Sequence, residues 1–181
     1  MRDAGGGGEA SGAGKDTLLA AARARLADAD GIRFVRRCIT RPAEAGGEDH
    51  EALTRDAFLA RRRSDGFALW WEAHGLLYGI PRDIEADLAA GRVVVANLSR
   101  TVLAAAAARY PLLVLEITAP AEVLAARLAA RGREAAAMVA ARLARQAPLP
   151  AGLRIVRVVN DGSVADGAAV VLAALHKAMQ P

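Results

Sequence analysis

The run Ser11, Gly12, Ala13, Gly14, Lys15, Asp16, Thr17 has the residue types, in the right order, to hold a polyphosphate. Gly12 and Gly14 let the backbone close around phosphate oxygens with no Cβ in the way, and Lys15 has the length to reach β- and γ-phosphates. The residues that follow, LLAAARARL, read as an amphipathic helix. The loop therefore delivers its ligand to a helix N-terminus, where unpaired N–H groups and the helix dipole favour an anion. The usual pattern continues with Ser or Thr as a magnesium ligand; here Asp16 takes that place and Thr17 comes next. A carboxylate holds hydrated Mg²⁺ at least as well as a hydroxyl does, so both are candidate metal ligands. All seven residues are candidate nucleotide contacts, and ATP and Mg²⁺ are the expected cofactors. The bland alternative, a flexible Gly/Ala-rich leader, does not account for GAGK running straight into a helix.

Lys15 stands out for another reason. Of the 24 basic residues only two, Lys15 and Lys177, are lysine. A lysine kept inside the loop of an arginine-dominated chain marks a place for a compact ammonium on a flexible stem, which a planar guanidinium cannot replace. The residues before the loop fit less well. The full pattern wants a glycine where Glu9 stands, and the stretch from Asp3 to Gly8 lacks the apolar character of a central strand, so the sequence supports the first strand poorly.

The elements that must carry this loop follow from composition and periodicity. With 181 residues, 54% of them apolar, the chain fits a single domain spanning 1–181. No run of about 18 uncharged apolar residues is present to span a bilayer, and the first ten residues lack a signal-peptide core, which predicts a soluble, cytoplasmic protein without a membrane partner. Cys38 is the only cysteine, so an internal disulfide and a cysteine metal cluster are both excluded. The net charge of +4 is spread along the chain, which argues against nucleic acid as a partner. The number of protomers is left open, a homodimer included.

Helices are predicted from Gly14 or Lys15 to near Gly31, from Thr54 as cap to Arg63, over 82–90 with Pro81 opening and Gly91 closing, from Ser99 as cap to Arg109, from Pro120 to near Gly132, over 133–146, and from Ser163 or Asp166 to Met179. Strands are predicted over 32–39, in FALWWEA and LLYGI around His74 and Gly75, over 92–98, in LLVLEIT and in LRIVRVV. This alternation gives an α/β fold: a mainly parallel sheet with helices on both faces.

Beyond the loop, the segments RRCITRP (36–42), GGEDH (46–50), FALWWEAHGLLYG (67–79), RLAARGRE (127–134) and VVND (158–161) together resemble the guanylate kinase-like branch of the nucleoside monophosphate kinase fold. Within that branch, GKDT, ITRPAEAGGEDHEAL and WEAHGLLYGIP resemble the ribose 1,5-bisphosphate phosphokinase family. The resemblance covers nearly the whole chain from Ser11. It implies a P-loop kinase with an acceptor-binding insert at about 36–80 and an arginine lid at about 127–146.

Guanylate kinases hold guanine with a glutamate, a Ser or Thr and two aspartates. At the matching positions this chain has Leu69, Ile80, and Asn97 with Leu98 and Ser99, so a base edge would lie unpaired, at about 1 to 3 kcal/mol per group. The phosphate equipment remains. By the resemblance Arg41 and Tyr78 grip the acceptor phosphate, His50 stands where guanylate kinases use a tyrosine, and Arg37 joins them; without the resemblance Arg37 and Arg41 read equally as surface charges. Glu72, beside His74 in a Gly-flanked segment, is read as a hydroxyl contact. Arg131, Arg133 and Arg142 would close over the γ-phosphate and exclude water. Asn160 would lie near adenine. The implied acceptor is a sugar bisphosphate, ribose 1,5-bisphosphate, and the implied product 5-phosphoribosyl 1-pyrophosphate. Two rival readings are a guanylate kinase with altered base contacts and, because of Glu9, a relative that no longer turns over ATP.

Overall fold

In a computed structural model of the chain, the residues described are 2–4, 13–26, 31–45, 48–120, 122–124 and 148–179. The chain builds two sheets. The first has five parallel strands in the order β2 (Ile32–Phe34), β7 (Val93–Val95), β1 (Arg2–Ala4), β8 (Leu113–Thr118) and β9 (Arg154–Val159). The second has four strands in the order β4 (His50–Ala52), β3 (Arg37–Ile39), β6 (Leu76–Pro81) and β5 (Phe67–Ala73). In it β3 runs parallel to β4 and antiparallel to β6.

Strand periodicity divides the core. Val93 and Val95 of β7, with Leu115 and Ile117 of β8, pack under α1 (Lys15–Arg25) and α5 (Val164–Met179) against Leu18, Ala22, Val171 and Leu175. The intervening residues Val94 and Val114 face the other way. There they meet Ile39, Leu69, Trp71, Tyr78 and Ile80 of the second sheet, Ile84 of α3 (Ile84–Ala89), and Leu103 and Ala106 of α4 (Leu103–Arg109). On the far face of the second sheet, α2 (Arg55–Arg63) buries Phe58 against Cys38, Phe67 and Leu77. As expected, Thr54 caps α2, its hydroxyl accepting from the Ala57 amide at 3.1 Å, a bond worth about 1 kcal/mol.

Several boundaries differ from the sequence reading. The poorly supported first strand is present at Arg2–Ala4, in the centre of the parallel sheet, with Arg2, Asp3 and Ala4 opposite Leu113, Val114 and Leu115. Two apolar neighbours, with pairing along β8 and at Arg2 with β7, make up for weak strand propensity, and the glycine run lies outside the described residues. The apolar stretch at 32–39 is not one strand. It breaks at Val35 and Arg36, so β2 pairs with β7 while β3 leaves for the second sheet. Pro81 ends β6 instead of opening a helix, and α3 begins only at Ile84. Strand β7 is three residues long, shorter than predicted. The turn between β5 and β6 is the expected one: His74 and Gly75 take positive φ of 52° and 74°. Of the two helices predicted over 120–146, only Pro120 and residues 122–124 are described, and 122–124 are helical.

Candidate functional site

The described end of the candidate phosphate loop, Ala13 and Gly14, lies at the C-terminal edge of the parallel sheet, beside Asn160 at the end of β9. Gly14 adopts the left-handed conformation, φ 79°, as N-cap of α1, and its carbonyl accepts from the Leu18 amide at 3.0 Å. A side chain is strained in that conformation, which is why glycine stands there. The amides of the first helical turn, Lys15 to Thr17, have no acceptor within the helix and are oriented for an anion. Lys15 is mostly buried, 16% exposed, and its Nζ lies 2.9 Å from Asp16 Oδ1; Asp16 is itself 63% exposed. Thr17 is also exposed. Asp16 and Thr17 thus present hard oxygen donors to solvent beside the loop, a set that suits a cation retaining several waters. Ser11 and Gly12 lie outside the described residues, as do Arg131, Arg133 and Arg142 of the expected lid.

The loop is tied from behind. Asn160, just after β9 and 4% exposed, donates from Nδ2 to the Ala13 carbonyl at 2.7 Å, while its amide donates to the Thr118 carbonyl at 2.7 Å. The side chain of Asn160, the residue expected near adenine, is turned to the backbone of the loop. Gly167 of α5 lets this helix press on α1, because a Cβ there would stand 2.8 and 2.9 Å from the Leu18 methyl carbons.

On the second sheet, β3 and the residues leading into β4 bring Arg37, Arg41 and His50 together. Arg37 and His50 are paired across these strands. His50 is buried, its Nε2 3.1 Å from the Arg41 carbonyl, its Nδ1 3.0 Å from the Glu48 carbonyl and 3.4 Å from Arg41 Nη2. With both ring nitrogens turned to protein atoms, His50 lies between the Arg41 and Glu48 carbonyls and holds Arg41. Arg41 is 8% exposed. Tyr78 stacks on Trp71 at 5.4 Å with rings nearly parallel, and the Arg37 guanidinium lies over both, 5.6 Å from the Trp71 ring and 5.1 Å from the Tyr78 ring.

Glu72 does not join this group. Strand alternation puts Trp71 on the inner face and Glu72 on the outer one, where it is half exposed, 4.0 Å from Arg55 of α2. Leu69 and Ile80, in register with each other and buried, fill the positions where a base edge would need polar partners.

Two residues with no role in the sequence reading complete the site. Glu48 accepts from Arg37 Nε at 2.7 Å and from its Nη2, and from Asn97 Nδ2 at 2.8 Å. Asn97 follows β7 and offers its carbonyl to Arg37 Nη1 at 3.3 Å. One carboxylate thus joins the two sheets through an arginine and an amide. The available signal was an acid in GGEDH close to an arginine-rich strand; a spacing of 11 residues does not by itself specify a pair.

No family profile matches the chain. Among curated proteins it is 55% identical over 137 residues to a ribose 1,5-bisphosphate phosphokinase of Acidiphilium cryptum, covering 76% of this chain and 73% of that one. It is 49% identical over 165 residues to a ribose 1,5-bisphosphate phosphokinase of Chromobacterium violaceum, with 90% and 87% covered. A bifunctional ribose 1,5-bisphosphokinase-thymidine phosphorylase of Azorhizobium caulinodans is 51% identical over 167 residues, 91% of this chain but 24% of that protein. The chain spans about a quarter of the length of such bifunctional relatives. Among solved structures, a guanylate kinase from Anaplasma phagocytophilum superposes with a TM-score of 0.64 at 18% identity, covering 89% of this chain and 81% of that one. This last likeness establishes the guanylate kinase-like P-loop fold.

Proposed function

The chain belongs to the ribose 1,5-bisphosphate phosphokinase family, and on that premise we propose that it transfers the γ-phosphoryl group of ATP to ribose 1,5-bisphosphate, releasing ADP and 5-phosphoribosyl 1-pyrophosphate. The observation that carries this reading is the acceptor side: arginines 37 and 41 sit beside an aromatic pair, while the positions that would serve a base are the buried Leu69 and Ile80.

In this reading the enzyme does its work by alignment and charge. Gly14 and the first-turn amides of α1 cradle the phosphates of ATP, and Lys15 follows the charge that builds on the transferring group. Asp16 and Thr17 would hold Mg²⁺, which would supply further neutralisation of phosphate charge. Arg41, kept in place by His50, and Tyr78 bind the phosphate that attacks. Arg131, Arg133 and Arg142 close over the γ-phosphate and exclude water. The same reading places the enzyme in the cytoplasm and allows it to act as a homodimer; no helix among the described residues is long and apolar enough to cross a membrane.

The test is a coupled ADP assay with ribose 1,5-bisphosphate and with GMP as acceptors, the sugar product being identified as 5-phosphoribosyl 1-pyrophosphate. Turnover with the sugar bisphosphate and little with GMP is expected; turnover with GMP alone would overturn the reading. Titration with Mg-ATP in a calorimeter separates an active kinase from a relative whose loop no longer binds nucleotide, which would give no heat at millimolar ATP.

A further inference from the structure

Ribose 1,5-bisphosphate carries two phosphates, and only one of them reacts. The acceptor reading above, on which this inference rests, therefore needs a second anion subsite whose bound charge stays constant through turnover. Arg37 has the properties of such a subsite. A guanidinium has five N–H groups. Glu48 Oε1 takes one from Nε and one from Nη2, and the Asn97 carbonyl takes one from Nη1. Among the described residues no acceptor is recorded for the other two, which are available for ligand oxygens. The group lies over the Trp71 and Tyr78 rings, and the side chain is 15% exposed, so it is oriented before a ligand arrives yet is not sealed off.

Asn97 supplies the independent observation. Its Oδ1 is buried and accepts no hydrogen bond among the described residues. Its Nδ2 donates to Glu48 Oε2 at 2.8 Å, and that bond decides which amide atom is the oxygen. A buried acceptor left open costs stability unless something donates to it. Beside a pre-set guanidinium, the donor that suits it is a hydroxyl of a phosphorylated sugar.

We propose that Arg37, Glu48 and Asn97 form the subsite for the non-reacting end of the acceptor. Arg37 binds the 5-phosphate, Asn97 Oδ1 accepts from a ribose hydroxyl, and Glu48 is a positioning residue for both. Glu48 also argues that the reacting phosphate sits elsewhere, because a carboxylate against the guanidinium opposes the negative charge that gathers as the γ-phosphoryl group arrives. In the transfer, an oxygen of the 1-phosphate forms a bond to the γ-phosphorus while the bond from that phosphorus to the β,γ-bridging oxygen breaks and ADP departs. The 5-phosphate only anchors.

The experiment measures inhibition of the full chain by ribose 5-phosphate and by ribose 1-phosphate, each against ribose 1,5-bisphosphate, for the parent and for Arg37→Met. Loss of a charge-assisted contact is expected to weaken ribose 5-phosphate about 10- to 100-fold and to leave ribose 1-phosphate within about twofold. Arg37→Lys, which keeps a charge beside Glu48, should recover part of the loss and serves as the variant of record if Arg37→Met does not fold. Asn97→Ala should weaken both ligands by a similar, smaller factor, since both carry the ribose hydroxyls. Equal weakening of the two ligands by the Arg37 variants, selective weakening of ribose 1-phosphate, or failure of ribose 5-phosphate to inhibit the parent each overturns the assignment. Absence of parent turnover with ribose 1,5-bisphosphate overturns the acceptor reading instead, so the two failures are distinguishable.

Discussion

Asn160 and Ala13 lie 147 positions apart, and the Asn160 amide nitrogen is 2.7 Å from the Ala13 carbonyl oxygen. The bond crosses from the end of β9 to the phosphate loop and is buried at both ends. It ties the loop to the sheet, so loop shape depends on a strand at the far end of the chain.

Replacing Asn160 with Ala leaves the Ala13 carbonyl buried and unpaired. The expected cost is about 1 to 3 kcal/mol of stability, with weaker ATP binding because the loop must be ordered by the ligand. Chemical denaturation and nucleotide calorimetry on the same variant check both; unchanged ATP affinity in a destabilised variant would mean the bond matters to the fold only.

A methyl group at position 167 tests the contact of α5 with α1. Gly167→Ala puts a Cβ within 3 Å of two Leu18 methyl carbons in a fully buried site, and a loss of about 1 to 3 kcal/mol is expected. The effect should couple to position 18: in Gly167→Ala/Leu18→Ala the two costs should fall short of additivity, which a double-mutant cycle of unfolding free energies measures.

Lys15 is one of two lysines among 24 basic residues, and its replacement probes whether that is a functional choice. Lys15→Met should lower kcat about 10²- to 10³-fold. Lys15→Arg should not restore it, since the guanidinium fork has neither the shape nor the hydration of the ammonium. Restoration by Arg in steady-state assays would reduce Lys15 to a source of positive charge.

Stability should fall at alkaline pH for a reason that can be located. Burial, then the hydrogen bond to Glu51, pushes the Cys38 thiol from 9.0 up to about 12. Burial and the bond to Glu85 likewise push the Tyr110 phenol from 10.0 up to about 12. Both groups keep their protons longer in the folded chain than in the unfolded one, so their contribution is complete below pH 9 and is withdrawn as pH rises from there towards 12. Unfolding midpoints against pH measure this, and Cys38→Ala should flatten the part that begins near pH 9. The bond from Cys38, with help from Arg61, holds the Glu51 carboxyl below its usual range, so its contribution is lost in the opposite direction, as pH falls through the acid range.

Much of the local structure around the candidate loop was legible in one dimension because its determinants are local. A loop of small residues, one lysine and a helix start are all set within a few positions, and Gly14 at the cap of α1 is where the spacing put it. Helix caps such as Thr54, the turn at His74 and Gly75, and the strands β8 and β9 were readable on the same ground. The acceptor reading rests on resemblance at Arg41 and Tyr78, and on the absence of polar residues at Leu69 and Ile80. Tertiary structure decided the rest. Arg2–Ala4 becomes a central strand because apolar neighbours on both sides supply pairing that its own sequence does not promise. The stretch at 32–39 divides because its two halves answer to different sheets. Glu72 is turned outward by the pleat, while Glu48 is joined to Arg37 and Asn97 by the meeting of the two sheets. Charge pairing depends on distance in space, which residue types and spacing leave undetermined until the sheets are packed.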